Sequence, residues 1–240
     1  MYEVGVQPGS SRSAKPTVLL FDIDGTLIHA GGAGRRAISR VFTERYGHPR
    51  LFDEVRFHGM TDRAIVRGAL GRAGLECDER TIDDICAAYL VALADEVPRS
   101  TGFKIHPGVR ELLEELGRRD RVAIGLGTGN LREGARIKLE HARLMHHFTF
   151  GGYGCDDEDR PSLIRLGAER GAARLGVQLA DCRVVVIGDT PRDVAAAQAV
   201  GADVVTVETG GFGSADLLAA GAQRSFITLA DDGVIAAIHG

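Results

Sequence analysis

The sequence predicts an α/β protein, a doubly wound parallel sheet with an all-helical block inserted after its first strand. Three observations predict it. Four short apolar runs, "TVLLF" (17–21), "VAIGLG" (122–127), "RVVVIG" (183–188) and "ADVVTV" (202–207), are near-continuous rather than alternating, as strands covered on both faces must be. Helical patterns stand between the later runs, so strand and helix alternate. From about Arg35 to about Thr101 that alternation stops, and only helical patterns remain.

Taken in order, residues 1–15, "MYEVGVQPGSSRSAK", lack an apolar signal region and read as a disordered tail. "TVLLF" is the first strand. In the inserted block Ile38, Val41, Phe42 and Tyr46 share one helical face. Thr61 is placed to N-cap a second helix carrying Ile65, Val66, Ala69 and Leu70, which stops near Gly71 and Gly74. Ile82, Ile85, Tyr89, Leu93 and Val97 mark a third. Glycine-bearing connections flank the block, "AGGAG" (30–34) leading in and "STGFKIHPG" (100–108) leading out, as hinges of a mobile cap would. The expected division is therefore a core of 16–30 plus 104–240 and a helical cap of 31–103. Beyond the cap, Val109, Leu112, Leu113 and Leu116 form a helix after Pro107, and Leu163 and Leu166 follow the Pro161-Ser162 start signal. "FTF" (148–150) and "SFITL" (225–229) read as shorter strands.

Composition narrows the function classes. The chain has 29 basic and 33 acidic residues, a near balance that gives no nucleic-acid or anionic-membrane footprint. No run approaches the ~20 apolar residues of a membrane span. Cys77, Cys86, Cys155 and Cys182 are scattered, with no CxxC pair, and read as reduced structural thiols of a cytoplasmic protein. Nearly all the basic charge is arginine, because Lys15, Lys104 and Lys138 are the only lysines.

In a doubly wound sheet, function gathers at the carboxyl ends of the strands. The first run delivers Asp22 and Asp24 there, the second Thr128 in "GLGTGN", and the third Asp189 and Asp193 in "IGDTPRD". Like charges two residues apart repel unless a cation sits between them. A hard set of oxygen donors, with no His or Cys nearby, selects Mg²⁺. Such a cluster suits phosphoryl transfer: one Asp attacks phosphorus while the other protonates the leaving oxygen and later activates water. The Thr128 hydroxyl and backbone N–H groups at Gly129 and Asn130 can hold the transferring group.

"FDIDGTL", then "GLGTGN", then "GDTPRD", each closing an apolar run, resembles the haloacid dehalogenase-like superfamily of phosphohydrolases, in its Rossmann-like core with a helical cap of the C1 type. The resemblance runs from about Pro16 to about Ile238. It implies that Asp22 is the nucleophile, that Asp24 is the general acid/base and binds Mg²⁺ through its backbone carbonyl, and that Asp189 is a metal ligand. It also implies that Asp193 holds the ion directly or through water and that Thr128 binds phosphate. The family's third motif supplies a lysine, and here the sequence departs. "DRPSLI" stands at that position, making Arg160 the expected substitute, with a fork of donors unlike that of lysine. Lys138 in "ARIKLEHA" is the fallback, though its ordinary reading is a solvated helix face.

Within the superfamily, the acid at Asp24 argues for a phosphate ester over a halide, which needs no proton on leaving. Residues 30–103 contain no lysine for Schiff-base chemistry, and membrane spans for an ion pump are missing. "HGMTDRAIVRGAL", "HPGVRELLEEL" and "GDTPRDVAAAQAVGA" are most similar to the phosphoglycolate phosphatase-like branch. His58, Thr61, Asp62 and Arg63 are the candidate cap residues, with Arg63 a candidate partner for a substrate carboxylate; Thr61 and Asp62 also read as plain helix-capping residues. The expected partner is a small phosphorylated metabolite, and the expected assembly a monomer or homodimer. A sugar phosphomutase and a non-enzymatic phospho-receiver are the competing readings.

Overall fold

The computed structural model describes residues 15–239; nearly all of the expected N-terminal tail falls outside them. The chain runs through β1 (Thr17–Phe21), β2 (Ile28–Ala30), α1 (Ala33–Tyr46), α2 (Asp62–Ala73), α3 (Glu79–Glu96) and β3 (Phe103–Ile105). It continues with α4 (Val109–Gly117), β4 (Val122–Thr128), α5 (Arg132–His141), β5 (Gly151–Tyr153), α6 (Arg160–Leu175) and β6 (Arg183–Gly188). The last elements are α7 (Pro191–Ala199), β7 (Asp203–Val207), α8 (Ser214–Ala219), β8 (Ser225–Phe226) and α9 (Val234–His239).

Six strands form one parallel sheet in the order β5-β4-β1-β6-β7-β8. β1 is central, and its five residues are all buried because helices cover both faces. Its register sets Phe21 between Leu126 of β4 and Ile187 of β6. The residues that follow these three therefore emerge together at one edge of the sheet. That is the topological switch point, where chain connections diverge to opposite sides.

Residues 33–96 hold α1, α2 and α3 and no strand. Their apolar faces meet one another: Ile38, Val41 and Phe42 from α1, Ile65, Val66 and Leu70 from α2, and Ile82, Ile85, Tyr89 and Leu93 from α3. Thr61 caps α2 by accepting from the Ala64 N–H at 3.3 Å, and Gly74 closes it in the left-handed region.

Three details differ from the sequence expectation. β2 and β3 form an antiparallel ribbon between core and helical block, where the sequence suggests only flexible connections; three residues each are too short to show alternation. Ser100 Oγ binds the Ala30 carbonyl at 2.9 Å and ties the two connections together. The strand expected at 148–150 instead occupies Gly151–Tyr153. There α6 packs so closely that a Cβ on Gly152 would sit 1.8 Å from the Leu163 carbonyl oxygen, so steric need outweighs β propensity. "SFITL" pairs only through Ser225 and Phe226, because Asp231 accepts from the Ile227 N–H and the Thr228 hydroxyl, both at 2.8 Å, and turns the chain.

All four cysteines are free. Among the described residues no helix is long and apolar enough to cross a membrane.

Candidate active site

Asp22 leaves β1 with its N–H on the Ile187 carbonyl at 2.9 Å, the last rung of the β1–β6 ladder. Asp189 follows the end of β6, and Asp193 lies in the first turn of α7. One carboxylate oxygen from each of Asp22, Asp189 and Asp193 lies within 4.8 Å of the others, and all three residues are buried. Burial pushes Asp22 up to about 6; Arg160 opposes that shift, while Asp193 and Asp24 add to it. Asp189 is also raised, first by burial and then by Asp193 and Asp22.

The Asp189 oxygens are unequal. Oδ1 accepts from the Thr26 hydroxyl at 2.9 Å, whereas Oδ2 is buried with no hydrogen-bond partner. A Cβ on Gly25 would come within 2.3 Å of that oxygen, and one on Gly210 within 1.6 Å. Only glycines leave this carboxylate its room. An orphaned buried oxygen amid other carboxylates, with no nitrogen or sulfur donor in the cluster, is the donor set of a hard divalent cation. Asp22 and Asp189 fit Mg²⁺ on that ground.

Asp193 is more fully engaged. Its Oδ2 accepts from the Thr190 N–H at 3.0 Å and the Thr190 hydroxyl at 2.7 Å, closing a capping box at the start of α7. Its Oδ1 accepts from Arg160 Nε at 3.0 Å and also from Nη2. Asp193 thus aims the guanidinium. Arg160 in turn lies 3.2 Å from the Asp22 carboxylate and donates to the Gly59 carbonyl at 3.3 Å.

On the other side of Asp22, Asp24 is half-exposed. It accepts from Lys138 Nζ at 2.6 Å and from Asn130 Nδ2 at 2.9 Å. Lys138 also donates to Asn130 Oδ1 at 2.7 Å. The expectation of a solvated helix face for Lys138 is therefore corrected: it is 4 % exposed, on the buried stripe of α5 with Ala135 and Leu139. Burial alone would lower its pKa, but the carboxylates of Asp24 and Asp62 outweigh it and leave the group raised. Thr128 is fully buried and accepts from Asn130 Nδ2 at 2.9 Å; Gly129 and Asn130 line the cavity above it.

That cavity, of about 540 Å³, is walled by Asp22, Asp24, Lys138 and Arg160 on the sheet side and by residues of α1, α2 and α3 opposite. Of the four helical-block candidates, His58 and Asp62 are on its wall. Asp62 accepts from the Leu131 N–H at 2.8 Å and is within hydrogen-bonding reach of Tyr89. Burial raises its pKa to about 6, with Lys138 opposing. Thr61 is buried as the α2 cap. Arg63 does not meet the expectation of a carboxylate partner in the site. It is off the cavity wall and held at 2.5 Å by each of Asp83 and Glu79. Those two acids stand on α3 and hold the guanidinium between the helices.

Thr26 lies inside the "FDIDGTL" motif, which does not reveal its role of orienting Asp189. The Thr209–Gly211 turn, which closes the wall beside Gly25, escapes a motif-based reading. Thr190 and Asp193 do carry a legible signal, the T-x-x-D capping pattern.

The family model for haloacid dehalogenase-like hydrolases matches residues 19–207. The chain belongs to that family, as a phosphatase-type hydrolase. It is 28% identical over 206 residues to a phosphoglycolate phosphatase of Rhodospirillum rubrum, covering 81% of this chain and 80% of that one. Among solved structures, a hydrolase from Pseudomonas syringae superposes with a TM-score of 0.65 at 22% identity, covering 90% of this chain and 95% of that one. CbbY from Rhodobacter sphaeroides, solved in complex with phosphate, superposes with a TM-score of 0.69 at 18% identity, covering 93% and 99%. At those identities the two structures speak for the fold.

Proposed function

We propose that this chain is a Mg²⁺-dependent phosphatase of a small phosphate monoester, working through an aspartyl-phosphate on Asp22. The observation that carries the reading is the convergence of Asp22, Asp189 and Asp193 within 4.8 Å, with Arg160 at 3.2 Å from Asp22. The similarity to a phosphoglycolate phosphatase supports the reaction class.

In this reading Asp22 and Asp189 hold the cation. Bound Mg²⁺ supplies charge neutralisation between the anionic nucleophile and the anionic ester. Asp22 Oδ attacks phosphorus, and the bond from phosphorus to the leaving oxygen breaks. Arg160, aimed by Asp193, meets the charge on the phosphoryl oxygens. Asp24 gives its proton to the departing alkoxide, then takes one from the water that attacks the aspartyl-phosphate. Lys138 and Asn130 fix the Asp24 carboxylate, and the N–H groups at Gly129 and Asn130 complete the phosphate cradle. The block 33–96 serves as the cap that excludes water, joined to the core through the β2–β3 ribbon.

Ethyl phosphate and phosphoglycolate, incubated with the protein and Mg²⁺, should release inorganic phosphate, and EDTA should abolish the release. Turnover that survives complete metal removal would overturn the Mg²⁺ assignment.

A further inference from the structure

On the helical-block side, much of the cavity wall is apolar. Ile38 of α1, Ile65 and Val66 of α2, Tyr89 of α3, and Phe57 and Met60 of the preceding loop face the space above Asp22. Two of the cations on that wall are paired with carboxylates, and the third is bonded to backbone carbonyls. Lys138 is bonded to Asp24 and Asn130, and Arg160 to Asp193 and Asp22. Arg35 donates to the carbonyls of Phe52 and Val55 at 2.5 and 2.6 Å and stacks over the Phe57 ring at 4.2 Å. Arg63 is off the wall and bonded to Glu79 and Asp83.

Size points the same way. A volume of about 540 Å³ falls within the range of roughly 300–1,000 Å³ that encloses drug-sized ligands. A two-carbon phosphate would leave most of the apolar wall in contact with water. A short substrate with a carboxylate would, in addition, set that charge against Ile38, Ile65 and Val66, where the one wall cation without an acidic partner among the described residues, Arg35, already donates to the Phe52 and Val55 carbonyls.

We propose that the ester this cavity selects carries a neutral, mainly apolar body of aromatic-ring size or larger, seated against Ile38, Ile65 and Val66, and that short carboxylated phosphates are poor substrates. The inference rests on the phosphatase reading above and assigns its substrate class. Ile65 and Val66 act by contact with the body, while the histidines of the wall, His29 and His58, remain to meet a hydroxyl or ring nitrogen.

Three esters of primary alcohols, with comparable leaving groups, test it: 2-phenylethyl phosphate, ethyl phosphate and phosphoglycolate. The measured quantity is kcat/KM with Mg²⁺. The expected result for the unmodified protein is a preference for 2-phenylethyl phosphate over each of the others by roughly tenfold or more, the discrimination a hydrophobic pocket gives per group filled. In Ile65→Ala and, independently, Ile38→Ala, the ratio of phenylethyl to ethyl phosphate should fall by about tenfold; a ratio is insensitive to partial loss of folded protein. Phosphoglycolate preferred over 2-phenylethyl phosphate, or ratios unmoved in both variants, overturns the substrate class and leaves the phosphatase reading standing. No turnover of any of the three overturns the phosphatase reading, and this inference with it.

Discussion

Two cations stand in different places around Asp22. Arg160 touches the proposed nucleophile, at 3.2 Å, and is aimed by Asp193. Lys138 touches the proposed acid/base, at 2.6 Å. In the proposed reaction, charge on the transferring group develops beside Asp22, the side that Arg160 faces. Arg160→Ala should therefore lower kcat by about 10²-fold or more, and Lys138→Ala by much less, as read from steady-state kinetics on ethyl phosphate. The reverse order would move the phosphate-bridging role to Lys138. Strand ends in the sequence point to Asp22, Asp24, Asp189 and Asp193, the family resemblance adds Arg160, and the fold brings these side chains to one cavity or its edge. The sequence misplaces Lys138, for a single lysine on a mixed helix looks solvated. The signal was present all the same: Ala135, Lys138 and Leu139 fall on one stripe. Arg63 went astray for the opposite reason. Its acidic partners Glu79 and Asp83 stand on another helix, and pairing between helices is a tertiary fact no local pattern records.

Between elements, α2 is the bridge from the helical block to the sheet. The Asp62 N–H donates to the Gly129 carbonyl at 2.8 Å, and the Asp62 carboxylate accepts from Leu131 at 2.8 Å. Outside the cavity, Arg67 of α2 meets Glu158 of the loop before α6 at 2.7 Å, with both side chains partly exposed. In the proposed cap, this pair favours closure. Exposed pairs contribute up to ~1 kcal/mol, so Glu158→Gln should raise KM by roughly twofold to fivefold with kcat little changed. Added salt should raise the KM of the unmodified protein in the same direction. A KM indifferent to both would remove the pair from any part in closure. Long elements were legible from periodicity alone: β1, β6, α4 and the three helices of the block follow their apolar patterns. The β2–β3 ribbon was not, since it is held by three rungs and a serine hydroxyl. β5 escaped because "GGY" is dictated by how closely α6 approaches.

For the molecule as a whole, the site is a consequence of topology: three parallel strands in register bring Asp22, Thr128 and Asp189 to one edge, and the helical block closes over it. Elsewhere, the fold buries a histidine. His106 is 5 % exposed and its Nε2 has no partner; burial, with Lys104 and His29 adding, lowers its pKa to about 4. The unfolded chain holds that proton more tightly between about pH 4 and 6.5, so stability falls as pH drops through this window. The contribution of His106 should amount to about 2 kcal/mol between pH 7 and pH 5. Urea melts at the two pH values should differ by about that much less in His106→Gln than in the parent protein. An equal pH dependence in both would show that His106 is protonated as readily in the fold as out of it.

The central claim is that the carboxylates of separate strand ends share one magnesium ion and that Asp22 receives the phosphoryl group. Its most direct test is acid-quenched labelling with a radiolabelled phosphate ester, followed by mapping of the labelled peptide. The account predicts Mg²⁺-dependent label on Asp22, lost in Asp22→Asn together with turnover and sharply reduced in Asp189→Asn. Label on another residue, or ordinary turnover by Asp22→Asn, would contradict it.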